Sequence, residues 1–245
     1  MRNKKVYIGT PMYGGLCYHG YASSLISNIL DLKKHKIEVQ WQFMGNESLI
    51  TRGRNYIADS FLKSSCSHLM FIDADISFDP TSIRKLLMAK EDFVCAPYPK
   101  KFIDWKSVKE KGMFANASQL KNYGASYVIN YIDSRKIPTP NERGLIEIKH
   151  AGTGFMLLSR EVFLKMRSNC RQARASNFGE FSNWYTEYFK TDVDEEGVLQ
   201  SEDWVFCNQW REVGGKIWLM QDIKLDHVGT YIYESDILAN GANIT

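Results

Sequence analysis

The sequence predicts an α/β protein built on a mostly parallel, doubly wound sheet. Three observations carry this: apolar runs of strand length alternate with helix-period segments over residues 6–96, two carboxylates follow the apolar run Leu69–Ile72, and turn residues cluster at the same ends of several strands. The order read from the first hundred residues is β-α-β-α-β-α-β. In such a sheet the ligand sits at the carboxyl ends of the strands.

Taken in order, Val6-Tyr7-Ile8-Gly9 reads as a short buried strand running into the turn Thr10–Gly15. His19 to Lys34 carries Leu25, Ile26, Ile29 and Leu30 at helical spacing, and Ile37, Val39, Trp41 and Phe43 alternate as in a strand. Ser48 to Lys63 is again helical. The strand Leu69–Ile72 follows, then Asp79-Pro80 as the start of a helix with Asp as its cap. Asp92–Ala96 is the fourth strand, stopped by Pro97 and Pro99.

Residues 100–143, rich in Lys, Asn and Gly, read as an extended, partly mobile excursion. Leu145–Ile148 and Phe155–Leu158 are strand-like and flank His150-Ala151-Gly152-Thr153-Gly154. An aromatic cluster (Phe178, Phe181, Trp184, Tyr185, Tyr188, Phe189) precedes the acidic run Asp192–Glu196, read as a solvated loop or a lid. Ser201-Glu202-Asp203 starts a helix ending near Gly214-Gly215. Ile217–Met220 and Ile223–Leu225 are strands, the second leading into Asp226-His227. With neither a repeat nor a Pro/Ser-rich linker, residues 1–245 read as one domain, with a ligand-binding half (1–100) and a second half (101–245) for a co-substrate.

Composition bounds the function. The 245 residues are 44% hydrophobic and 24% charged, as in a globular protein with a true core, and the net charge of +3 gives no general affinity for nucleic acid. The apolar stretch at the N-terminus is too short for a signal peptide, and no segment reaches the ~20 apolar residues of a membrane span. Five scattered cysteines without CxxC spacing read as reduced thiols, so the expectation is a cytoplasmic protein. No sequence feature speaks to oligomeric state.

The sharpest chemical signal is Asp73-Ala74-Asp75. Carboxylates delivered by a strand end suit a hard cation such as Mg²⁺ or Mn²⁺, which keeps open positions for phosphate oxygens. A metal-bound phosphate ester, first of all a nucleotide-sugar, is the expected ligand. Thr10–Tyr13 and Pro97–Lys101 fall at the same sheet edge.

Taken together, Phe71–Ile76, the Gly152-Thr153-Gly154-Phe155 segment, Ser201-Glu202-Asp203 and the late Asp226-His227 resemble the GT-A glycosyltransferases, especially the family 2-like members, over roughly residues 5 to 230. The stretch Arg54–Ala58 with His68–Asp75 is also similar to viral and microbial sugar transferases of that group. The resemblance implies a single GT-A-type domain with a Rossmann-like sheet and a smaller acceptor-side part. It implies a donor that is a nucleotide-diphosphate sugar, UDP-linked as the commonest case, and a glycan or other hydroxyl acceptor. Asp73 and Asp75 match the motif that holds the ion, with His227 as a third ligand. Thr10, Pro11 and Tyr13 match the nucleobase loop, Arg52 and Asn55 the nucleotide or phosphate contacts, and Ala74 the middle of the metal motif. Glu202 and Asp203 match the catalytic acidic pair, Asp203 being the base.

With one base and no nucleophile apparent, an inverting displacement is expected. Arg52, Arg54 or Lys100 is available to add positive charge at the phosphates, and an imidazole ligand tilts the metal toward Mn²⁺. The alternatives are a nucleotidyltransferase acting on sugar phosphates, a catalytically silent sugar-binding module, and a haloacid-type phosphatase. Against the first, no basic Gly-rich phosphate loop follows the first strand; against the last, the Asp-x-Asp follows the third strand rather than the first.

Overall fold

A computed structural model describes residues 4–136, 138–174 and 184–230. Phe178 and Phe181 of the aromatic cluster lie outside them. In chain order the elements are β1 (Lys5–Met12), α1 (His19–Lys34), β2 (Glu38–Gly45), α2 (Ile50–Lys63), β3 (His68–Ile72), β4 (Ile76–Phe78), α3 (Ser82–Met88) and β5 (Phe93–Cys95). They continue with α4 (Trp105–Lys111), α5 (Ala117–Tyr123), β6 (Ile129–Tyr131), β7 (Leu145–Ala151), β8 (Phe155–Ser159), α6 (Arg160–Met166), β9 (Gln172–Arg174) and β10 (Trp184–Thr186). The last are β11 (Asp192–Val193), β12 (Leu199–Gln200), α7 (Glu202–Glu212), β13 (Ile217–Met220) and β14 (Leu225–His227). No helix among the described residues is long and apolar enough to cross a membrane.

One eight-stranded sheet, in the order β2-β1-β3-β8-β5-β13-β7-β6, forms the middle layer. β1 pairs in parallel with both β2 and β3, and β13 with β5, whereas β8 and β7 run against their neighbours. The sheet is therefore mostly parallel in strand direction but mixed in pairing. β8, from the second half of the chain, lies antiparallel between β3 and β5.

Both faces of the sheet are covered, which is why its central strands are continuous apolar runs. Leu69 and Phe71 of β3 face a core built with Ile57 and Phe61 of α2, Phe163 of α6 and Phe206 of α7. Met70 and Ile72 face the opposite way, into a second core with Leu25 of α1 and Leu86 of α3. At the sheet edge the same logic lapses: β2 has one neighbour, and its Trp41 and Phe43 are exposed.

Several local expectations are revised. Residues 100–143 are not simply extended, since α4 and α5 form there, Asp104 and Asn116 accepting hydrogen bonds from the Ser107 and Gln119 amides as N-caps. Asp79 does not cap α3, which starts three residues later with Thr81 at the cap position; its carbonyl instead receives the buried Asn28 amide at 2.8 Å. The acidic run is a small hairpin, β11–β12, closed by Asp194 Oδ1 accepting from the Glu196 and Val198 amides. Tyr185, Tyr188 and Phe189 are core residues, while Trp184 is exposed.

Candidate functional site

The residues at the carboxyl ends of β1 and β3 are tied together by backbone contacts. Tyr18, just before α1, donates its amide to the Ala74 carbonyl at 3.0 Å. Gly20 is required at this crossing, because a Cβ there would lie 2.2 Å from Ser77 Oγ. On the other side of β3, the antiparallel partner β8 sets Gly154 beside Asp73, whose amide donates to the Gly154 carbonyl at 3.0 Å. A side chain at Gly154 would approach Ile76 Cδ1 to 2.8 Å and Asp73 Oδ2 to 3.0 Å. The Gly-Thr-Gly segment is thus the floor on which the carboxylates rest.

A cleft of about 730 Å³ opens over this edge, bounded by Pro11, Tyr13, Arg54, the Asp73–Asp75 tripeptide and Glu202, with Glu47 and Cys17 on its walls. Its electrostatic centre is Arg54. The guanidinium is buried, donates from Nη2 to Asp73 Oδ1 at 2.9 Å, and lies with Nε 3.5 Å from Glu202 Oε1. Burial alone would lower its pKa, but the charges of Asp73 and Glu202 raise it. Among the described residues, Nε and Nη1 have no hydrogen-bond partner. The guanidinium sits between two carboxylates, Asp73 and Glu202, and orders both at the cleft wall.

Asp75 is held differently. Lys101 donates to its Oδ2, and His227 Nε2 stands 3.4 Å from Oδ1. Burial would raise the Asp75 carboxyl, yet the His227 and Lys101 contacts outweigh it and bring it down to about 2. β14 delivers His227 by pairing with β4 so that His227 lies opposite Ile76, and the Pro99 carbonyl accepts from Nδ1 at 2.8 Å. The Pro99 carbonyl can only accept, so Nδ1 carries a proton, and Nε2 is the ring nitrogen turned to the Asp75 side.

This arrangement fits a divalent ion at two positions. Asp75 Oδ1 is buried without a hydrogen bond, and the oxygen and the imidazole nitrogen are spaced much as adjacent ligands in an octahedron with bonds of about 2.1 Å. Among the described residues no group of three or more His, Cys, Asp or Glu side chains already converges as a full ligand set.

The acidic pair at the start of α7 is divided by the geometry. Glu202 faces the cleft and Arg54. Asp203 Oδ1 accepts from the Ser201 hydroxyl and from the Trp204 amide at 2.9 Å, so the serine hydroxyl serves Asp203 rather than a backbone amide. The Tyr98 phenol is pushed well up by burial first and then by Asp73, with a smaller contribution from Asp203. Tyr98 Oη in turn accepts from the Gly154 amide at 3.2 Å. Asp203 also bears on His150, which stacks on Trp204 with ring centres 4.7 Å apart.

Five of the expected site residues, Thr10, Arg52, Asn55, Asp203 and His227, are not among those that line the cleft. Thr10 is buried, its Oγ1 sharing a 2.6 Å hydrogen bond with Tyr21 Oη. Asn55 is buried and bonds the Phe189 backbone through both amide atoms, each at 2.8 Å. Arg52 closes a two-pronged pair with Glu47, at 2.6 and 2.8 Å, whose carboxylate is pushed up by burial but held down overall by Arg52 and the Leu49 amide. Arg54, one helical position that sequence reasoning ranked as accessory, occupies the place intended for Arg52 and Asn55.

No protein-family model matches the chain, and no curated protein matches it in sequence. Solved structures do superimpose on it. A197 from STIV aligns with a TM-score of 0.50 and 16% identity over 93% of this chain and 86% of that one. A fragment of S. aureus TarS in complex with UDP-GlcNAc aligns at 0.44 and 9% identity, covering 97% of this chain and 61% of that one. GalNAc-T7 with UDP, GalNAc and Mn²⁺ aligns at 0.42 and 10% identity, covering 91% and 43%. The chain therefore spans less than two thirds of the latter two. The layered architecture, with helices on both faces of a central sheet, is a fold this chain shares with A197 from STIV.

Proposed function

We propose that this chain is a glycosyltransferase that moves a sugar from a nucleotide-diphosphate sugar, with UDP as the first nucleotide to test, to a hydroxyl acceptor. The observation that carries the reading is the convergence on one cleft of the strand-end carboxylates Asp73 and Asp75, the buried Arg54 cation and the helix-start Glu202. Residues 1–100 would supply most of the donor side and residues 101–245 the acceptor side.

Asp75 and His227, with Asp73 beside them, would hold Mn²⁺ or Mg²⁺; when bound, such an ion supplies positive charge to the departing diphosphate. Pro11 and Tyr13, at the mouth, are placed to contact the nucleobase, Tyr13 being largely exposed in the unliganded protein. The buried Arg54 cation lies beside the same space, held between Asp73 and Glu202, in a water-poor setting where a fixed cation acts strongly on developing charge. Glu202 keeps that guanidinium oriented.

Asp203 is the proposed base. Both of its described hydrogen bonds fall on Oδ1, so Oδ2 is the oxygen to take the acceptor proton. The acceptor oxygen then bonds to the anomeric carbon as the bond from that carbon to the diphosphate breaks, which inverts the centre. The test is release of free nucleotide from UDP-sugars by the wild type and by Asp203→Asn. Asp203→Asn should bind UDP as the wild type does and turn over at least about 100-fold more slowly; retained turnover would place the base elsewhere.

A further inference from the structure

Lys101 is the feature of the cleft that a metal site does not need. It ends the loop after β5, and its stem lies across Gly229, where a Cβ would come within 2.9 Å of Lys101 Cδ and 3.2 Å of Cγ. The loop around it is pinned on both sides. The Lys100 amide donates to the Ser126 carbonyl at 2.7 Å, and the Val228 amide donates to the Asp75 carbonyl at 2.9 Å. The side chain is thereby aimed at Asp75, where its ammonium takes Oδ2 while Oδ1 stays without a hydrogen bond, facing His227. Lys101 is itself partly exposed, so it is free to leave.

We propose that the Lys101 ammonium is a tethered counter-ion: it holds Asp75 while no metal is bound, and passes to the donor's diphosphate when a divalent ion takes Asp75. This rests on the glycosyltransferase reading and deepens it. Two physical arguments support it. A carboxylate at the edge of a half-buried cleft needs a counter-charge in the unliganded protein, and Lys101 supplies one that a flexible stem can withdraw. The nucleoside diphosphate freed as the sugar departs carries more negative charge than a divalent ion neutralises, so an ammonium released beside the ion has developing charge to meet.

The exchange makes Lys101 act with opposite sign in the two halves of the binding cycle. In the absence of nucleotide it competes with the metal; in its presence it adds to the grip on phosphate. A charge-assisted contact, discounted for its partial exposure, sets the size of each effect at about tenfold.

The experiment titrates Mn²⁺ into the wild type, Lys101→Met and Lys101→Arg, following the electron paramagnetic resonance signal of free Mn²⁺. Calorimetry of UDP at saturating Mn²⁺ supplies the second readout. Lys101→Met should bind Mn²⁺ about tenfold more tightly without nucleotide and then bind UDP about tenfold more weakly, while Lys101→Arg stays near the wild type on both counts. If Lys101→Met binds Mn²⁺ like the wild type while UDP binding in both still requires the metal, the exchange is wrong and the glycosyltransferase reading stands. If neither protein binds Mn²⁺ and UDP binding is indifferent to EDTA, the exchange and the metal site fall together.

Discussion

Replacing Arg54 by Met tests the electrostatic centre of the site directly. The substitution keeps an apolar stem about as far as the Nε position but deletes the guanidinium, with its charge and its contact over Phe71, whose ring centre lies 5.4 Å from the guanidinium carbon. Asp73 and Glu202 would then face each other across a small buried gap without their shared cation. Breaking a buried ion pair by removing one partner costs about 3–5 kcal/mol. Because the Asp73 side chain is 28% exposed and water can screen it, a discounted value below that range applies, about 2–3 kcal/mol. For a protein of this size that lowers Tm by roughly 5–10 °C. Thermal unfolding followed by circular dichroism at pH 7 and pH 4.5 is the assay. The deficit should shrink at the lower pH, where protonation relieves two carboxylates left without a counter-charge. Arg54→Met with a Tm within about 1 °C of the wild type at pH 7 would refute the assignment of Arg54 as the buried cation of the cleft.

Asn55→Ala should destabilise by about 2 kcal/mol, because both backbone groups of Phe189 lose their partner, yet leave UDP affinity unchanged in protein that is folded; urea unfolding and calorimetry on the same sample separate the two. Gly154→Ala should weaken Mn²⁺-dependent nucleotide binding by about tenfold with little loss of secondary structure, since its Cβ would press on Asp73 Oδ2 and Ile76. The His68 imidazole is lowered to about 4 by burial first and by the Lys4 charge second. The unfolded chain therefore takes up a proton near pH 6.5 that the folded one refuses, so this contribution is complete above that pH and is lost as pH falls toward 4. Urea unfolding should show a loss of about 2 kcal/mol between pH 7.5 and pH 5 that His68→Gln removes.

The strands and helices that shape the cleft were legible because they are covered on both sides. The run Leu69–Ile72 is apolar throughout as its alternate residues enter two different cores, and α1 spans His19–Lys34 as its spacing implies. The antiparallel insertion of β8 was not legible: Phe155–Leu158 is a continuous apolar run whichever way it points, and its direction is set by pairing with β3 and β5, far away in sequence. β2 alternates correctly, yet Trp41 and Phe43 are exposed, because periodicity reports the strand and not what covers its face.

Within the site, the difficulty was choosing among Arg52, Arg54 and Asn55 on one helix. Successive residues turn by about 100°, so two positions apart face nearly opposite ways and only one arginine can meet Asp73. The sequence offers no means to select it, since the selecting contacts are Glu47 for Arg52 and the Phe189 backbone for Asn55. The spacing Arg54 to Asp73, from the first turns of α2 to the end of β3, becomes a usable signal once the crossover is known. Asp75 and His227 were legible as residues, but their meeting depends on β4 and β14, strands of three residues too short to read from a pattern.

The central claim is a metal-dependent site for a nucleoside diphosphate at Asp75. Calorimetric titration of UDP, GDP and dTDP into the protein, with Mn²⁺ and then with EDTA, tests it in one series. The account predicts that one nucleotide binds with Mn²⁺, that EDTA abolishes the heat, and that Asp75→Ala behaves like the wild type in EDTA. Binding of none of the three under either condition would contradict it and return the fold to its alternatives, a silent module foremost.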